Sequence, residues 1–471
     1  MREIETDYLV VGAGASGMAF VDALIAAADV DVVIVDRRHS PGGHWLDDYP
    51  FVRLHQPSAN YGVSSRTLGH DRIDEAGPNA GFYERATAGE VCDYYSRVLR
   101  EDLLPSGRVR FLGMTDYRGA DDQGHHLRSL LTGEETLVKV RRRFVDATYV
   151  ESVIPSRHTP AFSADEDVRL IPPNDLVDLD EPAGGFTVIG CGKTAMDTCN
   201  WLLDEGVDAD SIQWFRPRDP WLFDRSAIQP LELVGSYMHM QGCFVRAAAE
   251  AADAADWFHR MEADGNFIRI DAAVEPEVFR GATISSEEVD ALRTIERVVP
   301  RRRVLHIGMN RIVTDDGDLT AEPDRVFVDC SAPGLPPTIP CPVFDGRRIT
   351  LQQVTIGIVP WGAATIGAVE ARAEDDVSKN LLCPPLTFTG QAADVLNLAH
   401  IGMTGLIART SDPDMSAWTE GCRLNPGRGA ADHIDDPRVE DGFAMMGTYL
   451  GAALENLARH AASALAAVQL S

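Results

Sequence analysis

Residues 8–36 read YLVVGAGASGMAFVDALIAAADVDVVIVD. Tyr8 to Val11 are mostly apolar, which predicts a buried parallel strand. Gly12, Gly14 and Gly17 follow at GxGxxG spacing, which suits a tight turn, close approach to a pyrophosphate and packing of helix on strand. Ala15 and Ser16 open a helical run through Ala28, whose free N–H groups and positive dipole end face the phosphates. Val32 to Val35 is a second apolar strand, and it delivers Asp36 where a carboxylate accepts the ribose hydroxyls of an adenosine. Strand, glycines, helix, strand and acid in that order predict a dinucleotide-binding βαβ unit.

Beyond it lie Arg37, Arg38 and Pro41-Gly42-Gly43-His44-Trp45. Paired glycines so soon after the acid suggest backbone passing close to a cofactor. Tyr49 to Ser65 has no clean period and reads as a loop, with Arg53, His55, Gln56, Asn60 and Tyr61 as its hydrogen-bonding groups. Loops on a rigid scaffold often carry function. Glu90 to Leu104 reads as helix, and Val109 to Thr148 as strands ending in Phe144-Val-Asp146-Ala-Thr148, where small residues admit a ligand.

A connector rich in Pro and Asp, Pro155 to Pro182, leads to Gly185–Ile189 and then Gly190-Cys-Gly192-Lys193-Thr194-Ala195. This is the first motif again, with alanine at the third glycine, a position that governs only helix packing. Its second strand, Ile212 to Phe215, ends in Arg216-Pro-Arg218 instead of an acid. Arginine there pairs with a 2′-phosphate, so the second unit is expected to take NADPH. Phe111-Leu-Gly-Met114 and His306-Ile-Gly-Met309 open stretches that end in Phe144-Val-Asp and Phe327-Val-Asp, so the whole domain looks duplicated.

Between Pro230 and Pro300 the plan is interrupted by an expected helical insertion, with an alanine-rich run from Arg246 to Gly265 and a Ser285–Glu288 capping box for a helix through Val298. A strand is expected from Leu351 to Val359, then Pro360-Trp361-Gly362 and a helix from Ala363 to about Ala373. Arg409 to Val439 reads as irregular surface, and Ala444 to Val468 as a core-facing amphipathic helix.

The chain has 471 residues, with 43 Lys+Arg against 72 Asp+Glu, a net charge of −29. Such a length implies more than one core. Such a charge repels nucleic acid and anionic lipid, so neither is an expected partner. No apolar run reaches membrane-spanning length, and the segment before Asp7 lacks the build of a signal peptide, so a cytoplasmic location is expected. The eight cysteines form no CxxC pair, which argues against a redox disulfide and a zinc site.

With both fingerprints in view, the chain resembles the flavin-containing monooxygenases and, more broadly, the flavoproteins with two dinucleotide-binding domains. The motifs that carry the resemblance are Gly12 to Gly17 with Asp36, Gly42-Gly43-His44-Trp45, Gly190 to Ala195 and Val145-Asp146-Ala-Thr148. It implies an α/β fold of two Rossmann-like domains, the NAD(P) domain nested within the FAD domain. The corresponding boundaries are 1–182, then 183–330 with the insertion at about 230–300, then 331–471. It further implies FAD on the first unit, NADPH on the second, and a small organic substrate and dioxygen in the cleft between them. Asn60 is the nearest match to the family's asparagine after GGxW, and the loop around His55 would line the substrate pocket. These two are the candidate catalytic residues.

The family's FxGxxxHSxxY stretch is absent from the connector, where His158-Thr159 precedes Phe162. A reductase or dehydrogenase without oxygen transfer therefore stands beside the monooxygenase reading, and a flavin- and nucleotide-binding redox sensor or partner protein without turnover is the alternative of another class.

Overall fold

The computed structural model describes residues 2–469. The first βαβ unit is β1 (Arg2–Val11), α1 (Ala15–Ala27) and β2 (Val32–Val35), with Tyr8 opposite Val32 and Val11 opposite Val35 in a parallel pair. All four residues of β2 are buried, as both faces of a parallel sheet require. Thr87 and Glu90 form a capping box that starts α2 (Ala88–Arg97). Then β3 (Val109–Leu112) pairs with β2, and β4 (Thr115–Asp121) and β5 (Gly124–Ser129) form a hairpin leading to β6 (Glu135–Asp146) beside β1.

Two short strands, β7 (Ser163–Ala164) and β8 (Leu170–Ile171), punctuate the connector. The second unit is β9 (Gly185–Ile189), α3 (Lys193–Asp204) and β10 (Ile212–Arg216), again with every residue of the first strand buried. After β11 (Pro220–Asp224) the insertion carries α4 (Val234–Glu250), α5 (Ala254–Ala263), β12 (Phe267–Ile268), β13 (Val278–Ile284) and α6 (Ser286–Arg293). It is therefore not purely helical, because β11, β12 and β13 form a sheet of their own.

The Ser285–Glu288 box forms, but the helix stops at Arg293 instead of Val298. Val298–Pro300 is β14, whose Val298 pairs with Trp214 of β10. β-branched Val298 and Val299 favour the strand, which extends the parallel sheet at the edge of β10. The meander β15 (Val304–Ile307), β16 (Arg311–Thr314) and β17 (Gly317–Thr320) then leads to β18 (Arg325–Asp329) beside β9. The second sheet thus runs β14-β10-β9-β18-β8, all parallel.

The chain returns to the first sheet through β19 (Phe344–Asp345) and β20 (Arg348–Thr350), which pairs with β6. The strand expected from Leu351 to Val359 is a loop instead, and α7 (Val359–Arg372) starts earlier than Ala363, with Pro360 in its first turn. Helices α8 (Asp376–Leu382), α9 (Val395–Ser411), α10 (Pro413–Gly421) and α11 (Pro437–Gln469) follow.

The region from Arg409 to Val439 is not plain surface. It holds α10, and Arg423 is buried there, donating to the carbonyls of Ala59 at 2.5 Å, Arg66 at 2.7 Å and Tyr61. A guanidinium has five donors, and three carbonyls of one loop use them. The insertion and the C-terminal helices share a core that includes Trp221, Trp257, Phe258 and Phe267, with Trp221 stacked on Phe258 at 4.9 Å. Helix α11 crosses α4 at glycines, where a Cβ on Gly242 would lie 2.9 Å from Gly442 Cα. Among the described residues no helix is long and apolar enough to cross a membrane.

Candidate active site

A cavity of about 840 Å³ lies where the two glycine turns face each other. Gly12, Gly14, Ala15, Ser16 and Asp36 line it from one domain, and Gly190, Gly192, Lys193 and Thr194 from the other. Ligands of open α/β sheets bind at these carboxyl ends of the strands.

The glycines divide by what surrounds them. A Cβ on Gly17 would lie 2.0 Å from Gly12 O, so Gly17 serves helix packing. A Cβ on Gly14 would meet only Gly43 Cα, at 3.5 Å, and one on Gly192 would meet nothing within 4 Å. No protein atom therefore demands glycine at these two positions. Each faces the cavity, and a pyrophosphate seated there is what would require a bare backbone.

Asp36 is buried and fixed before any ligand arrives, since Oδ2 accepts from Ala13 N at 2.7 Å and Oδ1 from Arg38 N at 2.8 Å. Arg38 lines the cavity, whereas Arg37 turns out to Asp116 at 3.5 Å and lies outside the lining. The paired glycines serve the protein as well as the cavity, because a Cβ on Gly43 would lie 2.9 Å from Gly14 Cα. His44 and Trp45 line the same wall. His44 Nδ1 is 2.7 Å from Asp48 Oδ2, and Trp45 Nε1 donates to the Tyr61 hydroxyl at 2.7 Å. Asp146 stands behind the wall. Its Oδ1 accepts from Thr148 N and Oγ1, its Oδ2 pairs with Arg348 at 2.6 Å, and the Ala147–Thr148 turn so shaped reaches the cavity.

In the second domain Arg216 does not face the cavity. It is buried against Asp219, with Nε 2.9 Å from Oδ1, and its guanidinium lies over Trp214. Arg218 does line the cavity, with Arg302 and Arg303 from the turn after β14. These two were missed in the sequence, although the run Arg301-Arg302-Arg303 would have drawn notice had Val298–Pro300 been read as a strand.

The loop after Trp45 docks along one face of α3. Tyr49 donates to Asp197 Oδ2 at 2.8 Å, Asp197 pairs with Lys193, and Phe51 stacks on Trp201 at 4.6 Å. Lys193, Asp197 and Trp201 are four residues apart, so they share that face. Burial, and then the Asp197 charge, push the Tyr49 hydroxyl well above its usual pKa. The docking brings Arg53, Leu54, His55 and Gln56 to the cavity wall. Burial and then Lys193 push His55 down to about 4 despite Asp197, so its imidazole is neutral at physiological pH.

Asn60 is not brought to His55. It lies in a buried 3₁₀ turn, Ser58–Asn60, outside the cavity lining, and its Nδ2 has no hydrogen-bond partner among the described residues.

Residues 10–68 match the family described as an NAD(P)-binding Rossmann-like domain. Over 425 residues the chain is 42% identical to uncharacterized protein Rv2000 of Mycobacterium tuberculosis (strain ATCC 25618 / H37Rv), covering 90% of this chain and 78% of that one. The same figures hold for uncharacterized protein Mb2023 of Mycobacterium bovis (strain ATCC BAA-935 / AF2122/97). The chain belongs to their family. Among solved structures it is similar to one described as an oxidized steroid monooxygenase bound to NADP, with a TM-score of 0.50, 14% identity, and coverage of 78% of this chain and 85% of that one. That likeness is one of fold.

Proposed function

We propose that the chain is an FAD-dependent, NADPH-consuming oxidoreductase, a monooxygenase of a small organic substrate. The observation that carries the reading is the pair Gly14 and Gly192, bare backbone on two helix starts facing one cavity. The fold shared with a monooxygenase bound to NADP supports it. The FAD unit comprises 1–182 and 331–471, and the NADPH unit 183–330.

Asp36 would hold the FAD ribose, and the N–H groups at the start of α1 its pyrophosphate. Gly192 and the first turn of α3 would receive the NADPH pyrophosphate, and Arg218 with Arg302 or Arg303 its 2′-phosphate through charge-assisted bonds. When bound, FAD would supply the hydride-accepting and oxygen-activating chemistry. His55 offers a neutral ring nitrogen to that part of the cavity, able to donate or accept one hydrogen bond without carrying charge. The loop of Tyr49 to Gln56, held on α3 through Tyr49 and Phe51, keeps it there.

The connector without FxGxxxHSxxY favours a second reading, a reductase with the same cofactors. Oxygen uptake measured with NADPH oxidation and product separates the two. The monooxygenase consumes oxygen in step with oxygenated product, and a reductase forms no such product.

A further inference from the structure

Behind the His55 wall lies a cluster of charges drawn from three parts of the chain. Glu288, at the start of α6, accepts from Arg225 at 2.5 Å and from Arg85 at 3.3 Å, and Ser285 N donates to it at 3.0 Å. Arg225 has no exposed surface, and Arg85, Glu288 and Lys193 are each buried. Lys193 is paired with Asp197. Three cations thus face two carboxylates inside, with the exposed Asp204 as the next acid outward beside Glu288, so the excess of the interior is positive. Among the described residues Arg225 Nε, Arg225 Nη1 and Arg85 Nε have no hydrogen-bond partner.

An uncompensated buried charge costs free energy unless a counter-charge approaches it. Arg85 also donates to the carbonyl of Leu54, which places its guanidinium next to the His55 backbone. Arg53 adds one more cation: it lines this cavity and the neighbouring one that Arg85 borders, and its Nη1 donates to the Arg85 carbonyl at 3.2 Å. The acids facing the cavity, Asp36, Asp48 and Glu151, belong to the wall near the first glycine turn and to the loop after β6. The titration of the cluster agrees with a positive interior. Burial pushes Glu288 up, but Lys193, Arg225 and Arg85 outweigh it and hold the carboxyl at about 2. Burial, then Arg225, push Arg85 down to about 10.

We propose that the substrate is a carboxylate, its anionic group seated on the wall formed by Arg53 and His55. The proposal rests on reading the cavity as an oxidoreductase site, because it names the substrate of that site. Arg218, Arg302 and Arg303 stand on a separate wall, after β10 and β14, and serve the nucleotide. A carboxylate on Arg53 brings a counter-charge towards the cluster behind His55, and the Arg53 guanidinium, held through Nη1 on the Arg85 carbonyl, keeps further donors for it. An acid of this kind is drawn to the wall although the protein as a whole is strongly acidic.

The test is isothermal titration of the purified flavin-bearing protein, in saturating NADP⁺, with hexanoate and phenylacetate against hexanamide and phenylacetamide. Each acid should bind about tenfold or more tighter than its amide, the worth of a hydrogen bond to a charged group. Arg53→Gln should remove that preference with the Kd for NADP⁺ unchanged, and Arg53→Lys should keep part of it. Equal binding of acids and amides overturns the proposal. So does binding of the acids only when NADP⁺ is left out, which would make the anion site part of the nucleotide's. A preparation that holds no FAD would overturn the oxidoreductase reading instead, and the acid and amide heats would still decide the anion site.

Discussion

The Tyr49 hydroxyl, carried by the first domain, donates at 2.8 Å to Asp197 Oδ2 on the helix that opens the second glycine turn. One bond therefore joins the loop that presents His55 to the helix that would receive the NADPH pyrophosphate. Tyr49→Phe should leave a half-buried carboxylate oxygen short of a donor and cost about 1–2 kcal/mol. Asp197→Asn should cost more, about 3–5 kcal/mol, because the buried Lys193 loses its counter-charge. Urea denaturation of both variants checks the order, and equal small losses would show that the two domains are held elsewhere.

The glycines give a prediction with opposite outcomes at neighbouring positions. Gly17→Ala places a Cβ against the Gly12 carbonyl and should destabilise by about 3 kcal/mol or more. Gly192→Ala meets no protein atom and should cost within about 1 kcal/mol of stability at this N-cap. Its NADPH Kd should nevertheless rise by about tenfold or more, because the methyl occupies the phosphate's approach. Thermal melts with nucleotide titration separate the two effects.

Arg216 and Arg218 should likewise part company. Arg218→Ala should weaken NADPH by about 1.5–3 kcal/mol and leave NADH nearly unchanged, as loss of a phosphate contact does. Arg216→Ala strips Asp219 of its buried partner and should lower stability with no preference between the nucleotides. Steady-state kinetics with both nucleotides reads the first, and denaturation the second.

His55 gives the fold a pH dependence of known sign. Its pKa falls from 6.5 to about 4 on folding, so the unfolded chain binds more protons between those values. Stability is then lost as pH drops from 6.5 towards 4, by about 2 kcal/mol between pH 7 and pH 5 from this group. In His55→Gln that part of the loss should vanish. An unchanged difference between melts at the two pH values would show that His55 titrates normally.

The parts of the site legible in the sequence are those set by local pattern. The strand, glycine and helix order around Gly12 and Gly190, and the acid at Asp36, depend on residues within one βαβ unit, and the structure places them as expected. What the sequence hid depends on partners far away. Arg216 looked like a phosphate ligand, but Asp219 lies three residues on, and the turn at Pro217 folds one onto the other. The loop of His55 and Asn60 gave no period, and which of the two meets the cavity is decided by Tyr49 and Phe51 on α3 and by Arg423, more than 350 residues away, on the carbonyls around Asn60. The helix expected through Val298 stops short because Val298–Pro300 forms the edge strand of the second sheet, a pairing with β10 that joins residues far apart in the chain.

The most direct test of the account is the absorption spectrum of the purified protein, recorded without air before and after NADPH is added. An FAD-dependent, NADPH-consuming enzyme is a yellow protein with one FAD per chain, bleached by NADPH faster than by NADH and restored by oxygen. A colourless protein that takes up no FAD, or a yellow one that neither nucleotide bleaches, would contradict it.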